Sequence, residues 1–154
     1  MAKVVDPKSV EAREGTIYPK QFASMVAGRQ KRKLTDALGL TQFGVNMTTL
    51  QPGAASAHRH WHVAEDEFCY VLDGELTLIT NEGEQVLGPG MAMGFPANDE
   101  NGHHLVNRTA KPATYLEIGT RSAVERCVYP DIDMDLTTVG GKFTVRRKDG
   151  RAFE

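Results

Sequence analysis

Five histidines carry most of the chemistry this chain can perform: His58, His60, His62, His103 and His104. Three of them alternate within Ala57-His58-Arg59-His60-Trp61-His62. Alternate residues of an extended strand share a face, so these three are expected in one row, with Arg59 and Trp61 on the other side. Imidazoles two residues apart on a strand can converge on one cation, and Glu65, Asp66 and Glu67 offer a carboxylate just downstream. Such a row beside an acidic cluster, with a second histidine pair further on, points to a metal site rather than to separate surface histidines. Imidazole nitrogen and carboxylate oxygen suit Zn, Fe, Mn, Ni or Co, and the donor types alone do not choose among them. One divalent transition metal is the expected cofactor.

The elements that must position these residues are short. Fifteen glycines and seven prolines break the chain often, which favours many short strands over a few long helices. Strands are expected over 43–50, 57–63, 67–72, 75–80, 84–87, 91–95, 103–109 and 113–119. The punctuation between them includes Gln51-Pro52-Gly53, Asp73-Gly74, Gly88-Pro89-Gly90 and Lys111-Pro112. Asp-Gly between apolar runs is a strong hairpin signal. Eight short strands at this spacing predict an all-β sandwich or barrel. Leu34 to Leu38 is expected as a helical turn ended by Gly39. Lys142–Arg147 is expected as a last edge strand. The basic run Arg29-Gln30-Lys31-Arg32-Lys33 is expected as a solvated face or loop, because the rest of the chain adds no further basic surface.

With these elements in place the chain resembles the cupin superfamily. The first cupin motif is a glycine, about five residues, His-x-His, a glutamate a few residues later and then, after six intervening residues, a second glycine. His60-Trp61-His62, Glu67 and Gly74 are similar to it, and Gly53 stands at its start one residue further off than usual. The second motif is matched by Gly90, Pro96, His103 and Asn107, with Asn98 in place of its second glycine and a longer loop before the histidine. The resemblance implies His60, His62, Glu67 and His103 as metal ligands and leaves His58 near the site. His103 and His104 point to opposite faces of one strand, so only one of them can be the fourth ligand, and the longer loop leaves His104 as the alternative. It implies a double-stranded β-helix, or jelly-roll-like, barrel with short helical turns near the N-terminus. The single domain would run 1–154, with a barrel core of about 43–120, an N-terminal arm of 1–42 and a C-terminal packing segment of 121–154. Glu65 to Glu75, Asn101 to Arg108, Tyr129 to Asp133 and Arg147 to Gly150 are also similar to a bacterial cupin subgroup of unassigned activity.

Proton transfer near such a metal needs a further group, and His58, Tyr70 and Tyr115 are the candidates by position. Cys69, in phase with Glu67, is expected as a small buried side chain. Met47, Met91 and Met93 are expected to pack the barrel interior. The expected activity is that of an enzyme acting on a small oxygen-rich metabolite, by isomerisation, dioxygenation or lyase and decarboxylase chemistry. The alternative is a non-catalytic cupin module that binds a metal or small molecule.

Composition excludes other classes. Net charge is −2 among 154 residues, so a nucleic-acid partner is not expected. No apolar run is long enough to span a membrane. With no signal-peptide pattern and two unpaired-looking cysteines, Cys69 and Cys127, the expected location is cytoplasmic. A homodimer is expected, through sheet edges or exchanged N-terminal arms.

Overall fold

Gly74 shows how the turn signals shape the chain. Its φ is +78°, and a Cβ there would sit 2.8 Å from the Cα of Ala113. Only glycine meets both demands, so the Asp73-Gly74 turn is fixed by local chemistry. The computed structural model describes residues 2–154. Two short helices, α1 (Lys20–Ala23) and α2 (Leu34–Leu38), lie near the N-terminus. Gly39 closes α2 in the left-handed conformation, as expected.

The strands are β1 (Arg29–Lys33), β2 (Phe43–Leu50), β3 (Trp61–His62), β4 (Glu67–Asp73), β5 (Leu76–Thr80), β6 (Gly83–Leu87), β7 (Ala92–Phe95), β8 (His104–Val106), β9 (Ala113–Thr120), β10 (Val124–Val128), β11 (Asp135–Val139) and β12 (Lys142–Arg146). They pair antiparallel in three sheets, ordered β1-β2-β9-β4-β7, β12-β11-β10-β3 and β6-β5-β8. The all-β expectation holds. Backbone ladders do not close the sheets into one continuous barrel.

One core joins the five- and three-stranded sheets. Leu50, Val71, Leu76, Leu105, Ala113 and Tyr115 are among its buried members. A second cluster, Cys127, Tyr129, Met134 and Leu136, packs against Tyr18 and Phe22 of the N-terminal arm. The C-terminal segment is therefore more than packing. It supplies three strands, and β10 pairs with the histidine-bearing β3.

Three strands differ from expectation for identifiable reasons. The basic run 29–33 is β1, half-buried throughout, because its inner face borders a cavity instead of a packed core. In β10 the usual pattern is inverted: Val124 is exposed and Glu125 is buried. The Glu125 carboxylate turns inward to accept the backbone N–H groups of Val63 and Ala64. β11, rich in threonine and aspartate, carries too little apolar alternation to be recognised. Met91 also departs from expectation. It is exposed, whereas Met93 packs against the core.

Candidate metal centre

β3 is only two residues long, and the segment before it is irregular. His60 is fixed by a backbone bridge to His103, with His60 N–H to the His103 carbonyl at 3.1 Å and the reverse bond at 2.9 Å. This bridge sets the two rings side by side, 4.9 Å between centroids. Glu67 opens β4 and brings its carboxylate beneath them. Its Oε2 lies 3.1 Å from Nε2 of His62, 3.4 Å from Nε2 of His103 and 4.0 Å from Nε2 of His60. Donors each about 2.1 Å from one ion stand roughly 3.0–4.2 Å apart, so these spacings fit a common cation. His60, His62 and Glu67 form one group with donor atoms all within 4.8 Å of one another, and His62, Glu65 and Glu125 form another. His103 joins through Glu67, its ring 6.4 Å from that of His62.

The surroundings orient the rings. Nδ1–H of His60 donates to the His58 carbonyl at 2.8 Å, which leaves Nε2 as the free lone pair facing Glu67. Cys127 Sγ lies 3.3 Å from Nδ1 of His62. Phe95 stacks flat on His103 at 3.5 Å. Nδ1 of His103 is buried and has no hydrogen-bond partner among the described residues.

Charge is distributed unevenly over the cluster. Burial, reinforced by the imidazoles of His62 and His103, pushes His60 down to about 3. Burial also opposes protonation of His62, but contact with Cys127 and the Glu67 carboxylate outweighs it and lifts that pKa to about 11. Burial works against ionisation of Glu67, yet His103 and His62 hold its carboxyl well below the ordinary range. These shifts favour a neutral His60 and a Glu67 carboxylate paired with a protonated His62.

The expected row of three histidines does not form. His58 lies outside any strand, and its Nε2–H donates to the Phe22 carbonyl at 2.8 Å. Tyr18 and Phe22 pack edge-on against its ring, so it braces the N-terminal arm and does not reach the cavity. Strand phase separates the two tyrosine candidates. Tyr70 faces outward on β4 and is 37% exposed, whereas Tyr115 is fully buried and borders the cavity. The Tyr115 hydroxyl donates to Oε2 of Glu117 at 3.4 Å, and burial pushes its pKa well up. His103 and His104 diverge as neighbours on an extended segment must. His103 meets Glu67, while Nδ1–H of His104 donates to the Ala57 carbonyl at 2.8 Å.

A cupin domain model matches residues 46–119. A sugar phosphate isomerase of the cupin superfamily from Silicibacter pomeroyi is 43% identical, with a TM-score of 0.94 over 99% of this chain and 97% of that one. The chain belongs to the cupin superfamily. A second structure, from Acidithiobacillus ferrooxidans and provisionally named for the same activity, is 28% identical over 82% of this chain and 80% of that one, with a TM-score of 0.73. The polyketide cyclase RemF from Streptomyces resistomycificus shares the fold at 22% identity and a TM-score of 0.65, covering 78% of this chain and 80% of that one. No curated protein matches the sequence.

In this cupin the cluster borders a cavity of about 1240 Å³ between the five- and four-stranded sheets. The cavity wall holds residues that motif reading passed over. Glu117 on β9 accepts from Lys31 Nζ at 2.9 Å and from Asn46 Nδ2 at 3.3 Å. Tyr129 places its ring 5.6 Å from that of His60. The signal for Glu117 was its strand phase with Tyr115. Lys31 lies in the basic run expected as a solvated face, and Tyr129 in a segment noted only for its resemblance, so neither position pointed to the cavity. No helix among the described residues is long and apolar enough to cross a membrane.

Proposed function

We propose that this cupin is a metal-dependent isomerase of phosphorylated sugars. The observation that carries the proposal is the near-complete structural match to a sugar phosphate isomerase, in a chain whose histidine–glutamate cluster borders a large cavity lined by several charged side chains. His60, His62, Glu67 and His103 would hold one divalent ion. Such an ion, when bound, polarises a substrate oxygen as a Lewis acid.

The chain's own residues handle the proton. Interconversion of an aldose and a ketose removes a proton from the hydroxyl-bearing carbon beside the carbonyl and returns it to the former carbonyl carbon, while the hydroxyl proton passes to the former carbonyl oxygen, with no net change in atoms. Glu117 is placed to accept and return it. Lys31 donates to both oxygens of its carboxylate, Asn46 adds a bond to Oε1, and the Tyr115 hydroxyl approaches Oε2. Tyr115 keeps its phenolic proton, because burial raises its pKa. It therefore positions Glu117 and is not itself the base. His58 and Tyr70 drop out of the proton path on the positions described above.

The test is a panel of aldose and ketose phosphates followed by proton NMR in deuterated water. Turnover with solvent deuterium entering at the exchanged carbon is expected. Glu117→Gln is expected to lose turnover by about a hundredfold or more while keeping its metal. Tight binding across the panel with no turnover would favour the non-catalytic module instead.

The same proposal takes the protein as a homodimer. The outward face of β4 exposes Phe68, Tyr70 and Leu72, an apolar row that a second copy would cover. Light scattering at micromolar concentration is expected to give twice the chain mass, 16.9 kDa. A single-chain mass would overturn it.

A further inference from the structure

Alternate residues of β1 face the cavity: Arg29, Lys31 and Lys33. Two of these cations have an acid. Lys31 pairs with Glu117 at 2.9 Å, and Lys33 lies 3.9 Å from Asp36. Arg29 has none among the described residues. Its one protein hydrogen bond runs from Nη1 to the Ser56 carbonyl at 2.5 Å, and Nε and Nη2 are unspent. A half-buried guanidinium without an anion is a costly arrangement, since desolvation is not offset by a partner.

A second unspent donor faces the same space. Tyr18 receives the backbone N–H of His58 and donates its own hydroxyl proton to Tyr129. The Tyr129 hydroxyl proton is then left without an acceptor among the described residues, although Tyr129 is only 3% exposed. Arg29 and the tyrosines Tyr18, Tyr115 and Tyr129 all line this one cavity. Tyr129 in turn lies against His60.

We propose that Arg29 and Tyr129 form an anion subsite that takes the phosphate of the substrate while the sugar oxygens face the His60 cluster. The inference rests on the isomerase reading for its choice of phosphate. The planar fork of Arg29 matches two oxygens of a phosphate, and the Tyr129 hydroxyl serves a third. Lys31 is kept for Glu117 and does not compete. The basic run of β1 is thereby a recognition strand.

Inorganic phosphate titrated into chelator-treated full-length protein tests the subsite apart from any metal. Calorimetry is expected to show one site per chain. Arg29→Gln is expected to weaken it about tenfold or more, and Tyr129→Phe severalfold. Arg29→Lys, which keeps the charge and loses the fork, is expected to fall between wild type and Arg29→Gln. If Arg29→Gln fails to fold, judged by circular dichroism, Tyr129→Phe and Arg29→Lys carry the test. Acetate in a parallel arm is expected to bind more weakly. Equal or tighter acetate binding would overturn the assignment to phosphate. Phosphate affinity unchanged in all three variants would overturn the subsite. Turnover of a phosphorylated sugar with KM unchanged in Arg29→Gln would overturn the subsite and leave the isomerase reading standing. Phosphate binding lost in Arg29→Gln, with no sugar turned over by wild type, would sustain the subsite and remove the isomerase.

Discussion

Nε2 of His62 lies 3.1 Å from Oε2 of Glu67, although the two residues belong to different sheets. His62 sits on β3, held by β10, and Glu67 opens β4, held by β7 and β9. The pair spans the gap between sheets that no backbone ladder closes. A buried ion pair at that point is sustained by its partners, and removing either half leaves the other uncompensated.

The first prediction concerns occupancy. Native protein is expected to carry about one divalent metal ion per chain by elemental analysis. Glu67→Gln and His62→Gln are each expected to fall to a small fraction of that. Chelation is expected to lower the melting temperature, because an ion bound only by the folded state stabilises it. Wild-type stoichiometry in both variants would sink the ligand assignment.

The second concerns pH. A metal must displace the proton that His62 holds up to about 11. Metal uptake near neutral pH is therefore expected to release about one proton, and apparent affinity is expected to rise about tenfold per pH unit. Calorimetry in two buffers of different ionisation enthalpy measures the proton count, and zero release would contradict it. Without metal, His62 stabilises the fold fully below its unfolded value of 6.5, and that contribution fades as pH rises toward 11. His60 works in the opposite sense. Its folded value of about 3 lies below 6.5, so stability is lost as pH falls between them. Melting temperatures of metal-free protein are expected to peak near neutrality, with His60→Gln flattening the acid side.

The third concerns the hairpin after β4. Gly74→Ala places a methyl group 2.8 Å from Ala113 at a φ of +78°. Overpacking and the strained backbone are expected to cost about 2–3 kcal/mol together. Urea denaturation reads the loss, and a cost under about 0.5 kcal/mol would show that the turn relaxes freely.

The fourth concerns Arg59, which faces away from the histidine cluster. Its guanidinium grips both carboxylate oxygens of Asp131 at 2.8 Å and also bonds the Asn81 side chain. It thereby ties the segment before His60 to the chain after β10 and to the β5–β6 turn. The Asp131 side chain is 54% exposed, so solvent screens the pair. Arg59→Ala is expected to cost about 1 kcal/mol, or roughly 2–4 °C in melting temperature, with part of the effect lost in high salt. Metal stoichiometry is expected to persist. Its loss would mean that Arg59 also sets the position of His60.

Local chemistry was enough to read much of this molecule. Asp73-Gly74, Gly39 and the apolar runs of β2, β4 and β9 depend on neighbours in the chain, and they marked turns and strands directly. The spacing of His60, His62 and Glu67 was legible for the same reason, since a short stretch of backbone sets it. The row through His58 was misjudged because strand alternation was assumed where the chain is irregular and the ring is captured by Phe22. β10 was missed because one of its two buried residues, Glu125, is an acid whose partners, the backbone N–H groups of Val63 and Ala64, lie in a distant segment just after β3.

By itself, then, the sequence determined an all-β cupin chain and the residue types of its histidine–glutamate cluster. Only tertiary structure decided that His103 and not His104 meets Glu67, that Tyr115 faces the cavity and Tyr70 faces out, and that β1 turns Arg29 and Lys31 inward. Those outcomes depend on which strands pair and in what register. Register is set by long-range burial and hydrogen bonding, and a one-residue slip would exchange every one of these faces.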